Sequence, residues 1–240
     1  MRFSALSTTA LATLIAVWIV SPSGHAAGRQ QPPPTVQVPT PGVPQIMTLE
    51  GNFVRVAYNN EGYVILGYQL ANRSVGEKWM LLEVGMTVLN RTPNYTLKRD
   101  AVSLDIPDGT TVPLPTVTEY RSAEASVQGL QNRSRVQRDS INYFPPSASQ
   151  ACRLGFFADL GAPAMAWDQV ELSSQRACLG RLYFQIPNGI AHGQYWLNVK
   201  FAQSLVRVPF RILTEDEEKL LSKNFKSIKK QVDAAFKRKG

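Results

Sequence analysis

Across 240 residues the chain sets 26 Lys and Arg against 18 Asp and Glu, a formal charge of +8, with 44% hydrophobic and 18% charged residues. That apolar content excludes a disordered chain, and the one long apolar run, at the N-terminus, excludes a multi-pass bundle of membrane helices. Two cysteines and two histidines are too few for a thiolate zinc centre or a disulfide-dense miniprotein.

Met1 to Ala26 has the form of a secretory signal peptide. Arg2 is its positive start, Ala5 to Val20 its apolar stretch, and Ser21 to Ala26 a helix-breaking end with small residues at Gly24 and Ala26. The alternative, an uncleaved anchor, calls for about 20 apolar residues, more than this stretch holds. The expectation is therefore export, to a periplasm or the cell exterior, with His192 the only histidine left in the mature chain. Residues 27–47 carry Pro32, Pro33, Pro34, Pro39, Pro41 and Pro44. Such a segment lacks donors for a sheet and cannot continue a helix, so it reads as an extended linker.

From Thr48 onward apolar residues recur at period two between turn signals, the mark of half-buried strands. Val54, Val56 and Tyr58 lead into the turn Asn59-Asn60-Glu61-Gly62, and Tyr63 to Ala71 is the predicted returning strand. Trp79 to Leu89 is a longer strand, and two short ones flank Pro107-Asp108-Gly109. Thr116 to Glu119 has capping-box form, and Tyr120, Ala123, Val127 and Leu130 follow at helical spacing, which predicts a short helix. A loop through Tyr143-Phe144-Pro145-Pro146 comes next. Near the end, Tyr195, Leu197, Val199 and Phe201 alternate with Gln194, Trp196, Asn198 and Lys200. After a turn, Val206, Val208, Phe210 and Ile212 alternate with Leu205, Arg207, Pro209 and Arg211. Pro209 cannot donate to a ladder, which marks an edge strand or a bulge. Finally, Thr214 to Glu217 cap a helix whose stripe is Leu221, Phe225, Ile228, Val232 and Phe236, acidic at its start and basic at its end.

The segments Gly193 to Val199 and Arg207 to Ile212 resemble the closing hairpin of bacterial secreted immunoglobulin-like modules, with Tyr195 as the corner tyrosine of the penultimate strand. Tyr63 to Asn72 is similar to an early strand of the same modules. The resemblance implies an immunoglobulin-like antiparallel β-sandwich over residues 48–213, enlarged by an insertion at about 116–169, with an amphipathic helix at 214–240. It implies a fold and no activity.

In an exported chain Cys152 and Cys178 are expected to pair, stapling the insertion to the strand that starts near Ala177. The four Asn-x-Ser/Thr sequons, at Asn72, Asn90, Asn94 and Asn132, bear glycans only in a eukaryotic secretory pathway. No Gly-x-Ser-x-Gly elbow, P-loop, dinucleotide fingerprint or HExxH occurs, so no catalytic residue, metal or cofactor is assigned. Asp139, Asp159, Asp168 and Glu171 leave open a two-carboxylate hydrolase acting on an envelope polymer.

Three features carry the recognition readings. Trp196, Lys200, Arg207 and Arg211 share the outer face of the last hairpin, suited to an acidic polymer or a sugar. Arg133, Arg135 and Arg138 form a candidate basic loop able to clamp phosphate or carboxylate groups. Tyr143, Phe144 and Trp167 are candidates to line a cleft beside the disulfide. The function expected is a non-catalytic binding or structural module of the cell envelope, with a protein or acidic envelope polymer as partner. The alternative is a peripheral protein using the basic helix at 214–240 on a membrane or a partner groove. The excess charge is split: residues 214–240 hold eight bases and five acids, and residues 27–213 hold 17 and 13. That spread speaks against nucleic acid as the partner.

Overall fold

The computed structural model describes residues 45–137, 139–160 and 165–237; the predicted signal peptide lies outside them. The chain opens with a meander of β1 (Ile46–Gly51), β2 (Val54–Tyr58) and β3 (Gly62–Gly67), then α1 (Gln69–Asn72) and β4 (Trp79–Val88). Next come β5 (Tyr95–Lys98), a 3-10 turn at Arg99–Ala101, β6 (Val102–Asp105) and β7 (Thr111–Pro113). Two helices follow, α2 (Val117–Ser122) and α3 (Glu124–Val136), then β8 (Gln150–Leu154) and β9 (Gln169–Leu172). The chain closes with β10 (Arg176–Gln185), β11 (Gly193–Lys200), β12 (Leu205–Ile212) and α4 (Glu215–Lys237).

The strands form a six-stranded sheet in the order β1-β2-β3-β4-β10-β8, a four-stranded sheet β12-β11-β6-β7, and a small pair β5-β9. Alternation assigns the inner faces. Val64, Leu66, Leu82, Val84, Met86, Leu182 and Phe184 of the first sheet share one buried core with Leu104, Leu197, Val199, Val208 and Phe210 of the second. This is the packing that period two demands, with each fully buried Leu or Phe contributing roughly 1.5–3 kcal/mol. Pro209 sits on β12, which pairs only with β11 and is therefore an edge, as its missing donor requires.

Cys152 and Cys178 are joined, with their Cα atoms 4.1 Å apart. They face each other across the pairing of β8 with β10, and this pairing is parallel, unlike every other ladder described. The predicted insertion thus supplies a regular edge strand of the main sheet.

The insertion covers the outer face of that sheet. Tyr183, on the outer side of β10, meets the rings of Tyr120 at 5.0 Å and Phe157 at 5.3 Å. Farther along, Ile141, Tyr143 and Phe144 lie as a strap on Val54, Val56 and Ile65. The strap sits close because glycine lines its path: a Cβ on Gly85 would fall 2.7 Å from Phe144 Cζ, and one on Gly67 2.7 Å from Asp139 Cβ.

Four expectations need correction. The returning strand stops at Gly67 and not at Ala71, because the Gln69 N–H turns aside to Asp139 Oδ2 at 2.8 Å and starts α1. The short helix is two segments reaching Val136. It starts at a full capping box, Thr116 with Glu119, and continues because Gln131 and Ser134 are buried polar members of the inward stripe. Gln131 donates to Tyr120 Oη at 2.5 Å and accepts from Leu160 N at 3.1 Å, satisfactions that hydropathy cannot foresee. Consequently Arg133 and Arg135 stand on the last turn of α3 and form no loop. Last, β1 begins at Ile46, so the end of the predicted linker belongs to the sheet.

Candidate functional site

The most developed polar surface is the outer face of the four-stranded sheet, where period two brings Gln194, Trp196, Asn198 and Lys200 of β11 to one side. Trp196 stands in register between Pro209 of β12 and Asp105 of β6, and Asn198 between Arg207 and Ser103. Arg207 reaches across the central strand. Its Nη2 donates to Asp105 Oδ2 at 2.7 Å and its Nε to Asn198 Oδ1 at 3.0 Å, while its Cζ lies 4.8 Å from the Trp196 ring centroid. Thr111 Oγ1 donates to the other Asp105 oxygen at 2.7 Å. Burial pushes the Asp105 carboxyl up, but hydrogen bonds from Asn198, Thr111 and Arg207 outweigh it and hold the group below the usual carboxylate range. Asp105 is thus ionised and paired.

Of the sequence-predicted residues on this face, Trp196 and Arg207 are brought together. Arg211 is drawn away: its Nη2 donates to Glu217 Oε1 of α4 at 2.8 Å. Lys200 is exposed at the end of β11. With two of three cations neutralised, the face is aromatic and polar and nearly balanced in charge. Asp105 and Ser103 were not foreseen, because only the long-range pairing of β6 with β11 puts them beside Trp196.

The other candidates separate. Arg133 pairs with Glu77 at 2.6 Å, Arg135 is exposed, and Arg138 lies outside the described residues. Tyr143 and Phe144 lie over β3 and β4, Tyr143 accepting from Tyr63 Oη at 2.8 Å, whereas the Trp167 ring rests on Gly155 just beyond β8. Phe144 and Trp167 are thus set over different strands, β4 and the end of β8. The acids of the insertion are engaged at different places: Asp159 with Arg181 at 3.3 Å, Asp168 with Arg99 at 2.9 Å, Glu171 with Arg176 at 3.6 Å, and Asp139 with Gln69 N. His192 is exposed in the turn before β11. Among the described residues no three His, Cys, Asp or Glu side chains converge as a metal site. The sequon at Asn72 is buried, its side chain accepting from Leu213 N at 2.6 Å and donating to Glu218 at 3.2 Å.

Tyr195 packs into the core at the start of β11. Its hydroxyl donates to Ala191 O at 2.9 Å and accepts from Ala191 N at 3.0 Å, bracing the corner between β10 and β11. No family model, curated protein or solved structure matches this chain.

Proposed function

We propose that this chain is an exported, non-catalytic binding module of the immunoglobulin-like class. In this reading it works in the cell envelope and holds a hydroxyl-rich polymer on the outer face of β12-β11-β6-β7. The class is supported by strand order: β3-β4-β10-β8 against β12-β11-β6-β7 parallels the two sheets of such modules, and Tyr195 bonds back across its corner as their tyrosine does. The parallel β8 and the two further strands β1 and β2, which extend the same sheet, depart from that pattern. Export is supported by the disulfide, which persists in oxidising compartments.

The observation that carries the ligand class is the row around Trp196. A half-buried indole flanked by a paired Arg207 and Asp105, over a buried Asn198 and with Gln194, whose amide nitrogen is bonded to Tyr195 O and Phe210 O, and Ser103 and Thr111 beside it, offers a stacking edge and neutral polar groups nearly without net charge. Those groups suit sugar rings better than a polyanion. The test is co-sedimentation with purified insoluble envelope glycan. The folded protein should pellet with it and Trp196→Ala should lose about tenfold or more in affinity, on the order of the 1–3 kcal/mol that a stacked aromatic supplies. Equal pelleting of a folded Trp196→Ala protein, or none of the native one, sinks the reading.

A further inference from the structure

The helix α4 has two faces, and the fold uses one of them. Val232 and Phe236 are buried against Met47 and Leu49 of β1, with Phe225 and Ile228 packed beside them. Lys229 belongs to this docked side, its Nζ donating to Leu49 O and to Glu50. At the opposite side stand Lys219, Lys223, Lys226 and Lys230, all exposed. At about 100° per residue these four fall within an arc of roughly 60°, a ridge about 16 Å long. Among the described residues, Lys223, Lys226 and Lys230 have no acidic partner, and Lys219 has only Asp216, at 3.6 Å.

The acids at the start of α4 do not cancel that ridge. Glu217 is turned inward onto Arg211 at 2.8 Å and Glu218 onto Arg73 at 2.5 Å. Burial raises the Glu217 carboxyl, but its bonds from Arg211 and Thr214 hold it below the usual range, so this pairing stands at neutral pH. Glu215 and Asp216 remain at the solvent end, and Asp233 has one carboxylate oxygen buried. The helix therefore sends two of its acids and Lys229 to the sandwich and the other four of these lysines to solvent.

We propose that this lysine ridge is a docking surface for an anionic lipid bilayer, with α4 remaining docked on β1. Charge complementarity names an anionic partner, and shape selects among such partners. A straight convex ridge meets a flat surface along its whole length, whereas a flexible polyanion is held by a groove with converging donors, which a ridge lacks. Neighbouring lysines are about 4.5–6 Å apart along the axis, inside a Debye length of about 8–10 Å, so they act on one surface together. No helix among the described residues is long and apolar enough to cross a membrane. With the apolar stripe of α4 already buried, the contact is electrostatic, reversible and salt-sensitive.

The experiment uses the whole chain with vesicles of phosphatidylglycerol and phosphatidylcholine, and of phosphatidylcholine alone, at about 0.1 M salt. Binding is expected to the anionic vesicles only. The combined variant Lys219→Gln, Lys223→Gln, Lys226→Gln and Lys230→Gln should lose about tenfold or more with unchanged melting, since among the described residues these side chains make no hydrogen bond or ion pair beyond that of Lys219 with Asp216. Hydrogen exchange should show α4 equally protected on and off the vesicles. The proposal is overturned by equal binding to neutral vesicles, by a variant that binds as the native chain does, or by loss of α4 protection on the vesicles. Preference for soluble polyglutamate over vesicles of matched charge overturns it as well. Trp196→Ala should leave vesicle binding intact, which separates this surface from the one proposed for glycan.

Discussion

Arg99 shows how much of this fold rests on one guanidinium. From the 3-10 turn before β6 it donates to Asp168 at 2.9 Å, Pro115 O at 2.8 Å, Phe156 O at 2.5 Å and Trp167 O at 3.2 Å, with Phe157 4.9 Å from its Cζ. It therefore ties the entry, the middle and the exit of the insertion to the sandwich. Arg99→Ala strands three carbonyl acceptors at about 1–3 kcal/mol each, so urea titration should show a loss of about 3 kcal/mol or more. Asp168→Asn should cost less than about 1 kcal/mol, because that carboxylate is 83% exposed. Asp139 makes a second prediction at this scale. Burial pushes its carboxyl up to about 6, against the opposing pull of the Gln69 N–H and of Arg55, while its own N–H donates to Glu83 at 2.7 Å. A carboxyl raised in the folded state favours the protonated protein. Its stabilising contribution is full below the ordinary value of 3.8 and is lost as pH rises through about 6. Asp139→Asn, which keeps an acceptor for Gln69, should remove on the order of 2–3 kcal/mol of pH dependence over that window. Melting temperatures of the two proteins from pH 4 to 7 would show the difference; parallel curves refute it.

Among the strands, β8 is the one held by a parallel ladder. It is five residues long, lies at a sheet edge and pairs in parallel with β10 alone, an arrangement slightly weaker per residue than an antiparallel one. The disulfide compensates, closing a separation of 26 residues, worth roughly 3.5 kcal/mol in the loop-entropy account. The double variant Cys152→Ala, Cys178→Ala should lose about that much. Hydrogen exchange should then show β8 opening ahead of β11 and β12; uniform loss of protection would mean that the bridge holds the whole sandwich. The helices behave differently. Capping boxes at Thr116 and Thr214 start α2 and α4 locally, yet α2 is held by one buried ring, Tyr120 on Tyr183, and α4 by an apolar stripe laid on β1.

At the scale of the whole molecule, charge and burial are sorted by surface. The formal charge of +8 is not expressed where the cationic residues first suggest it. On the four-stranded sheet Arg207 and Arg211 are spent on Asp105 and Glu217. On α4 the lysine ridge stays open, about 16 Å of positive surface left outward by docking the other side of the helix. The two proposed surfaces thus differ in kind, one balanced and aromatic, the other cationic and flat-fitting.

The sequence by itself determined whatever depends on local periodicity and chemistry: the β-rich class, the closing hairpin with its inward residues, the restriction of Pro209 to an edge or a bulge, both capping boxes and the only possible disulfide. Period two and period 3.6 are written in neighbouring residues, so they survive without a fold. The tertiary structure alone decided the parallel seat of β8, the helical setting of Arg133 and Arg135, the hub at Arg99 and the Asp105–Arg207–Trp196 row. Each of these depends on at least one contact between residues tens of positions apart, such as Leu160 with Gln131 or Asp105 with Arg207, and no local pattern encodes such a contact. The same holds for α4: its stripe was legible, but which acids turn inward depends on Arg73 and Arg211, which only folding brings beside them.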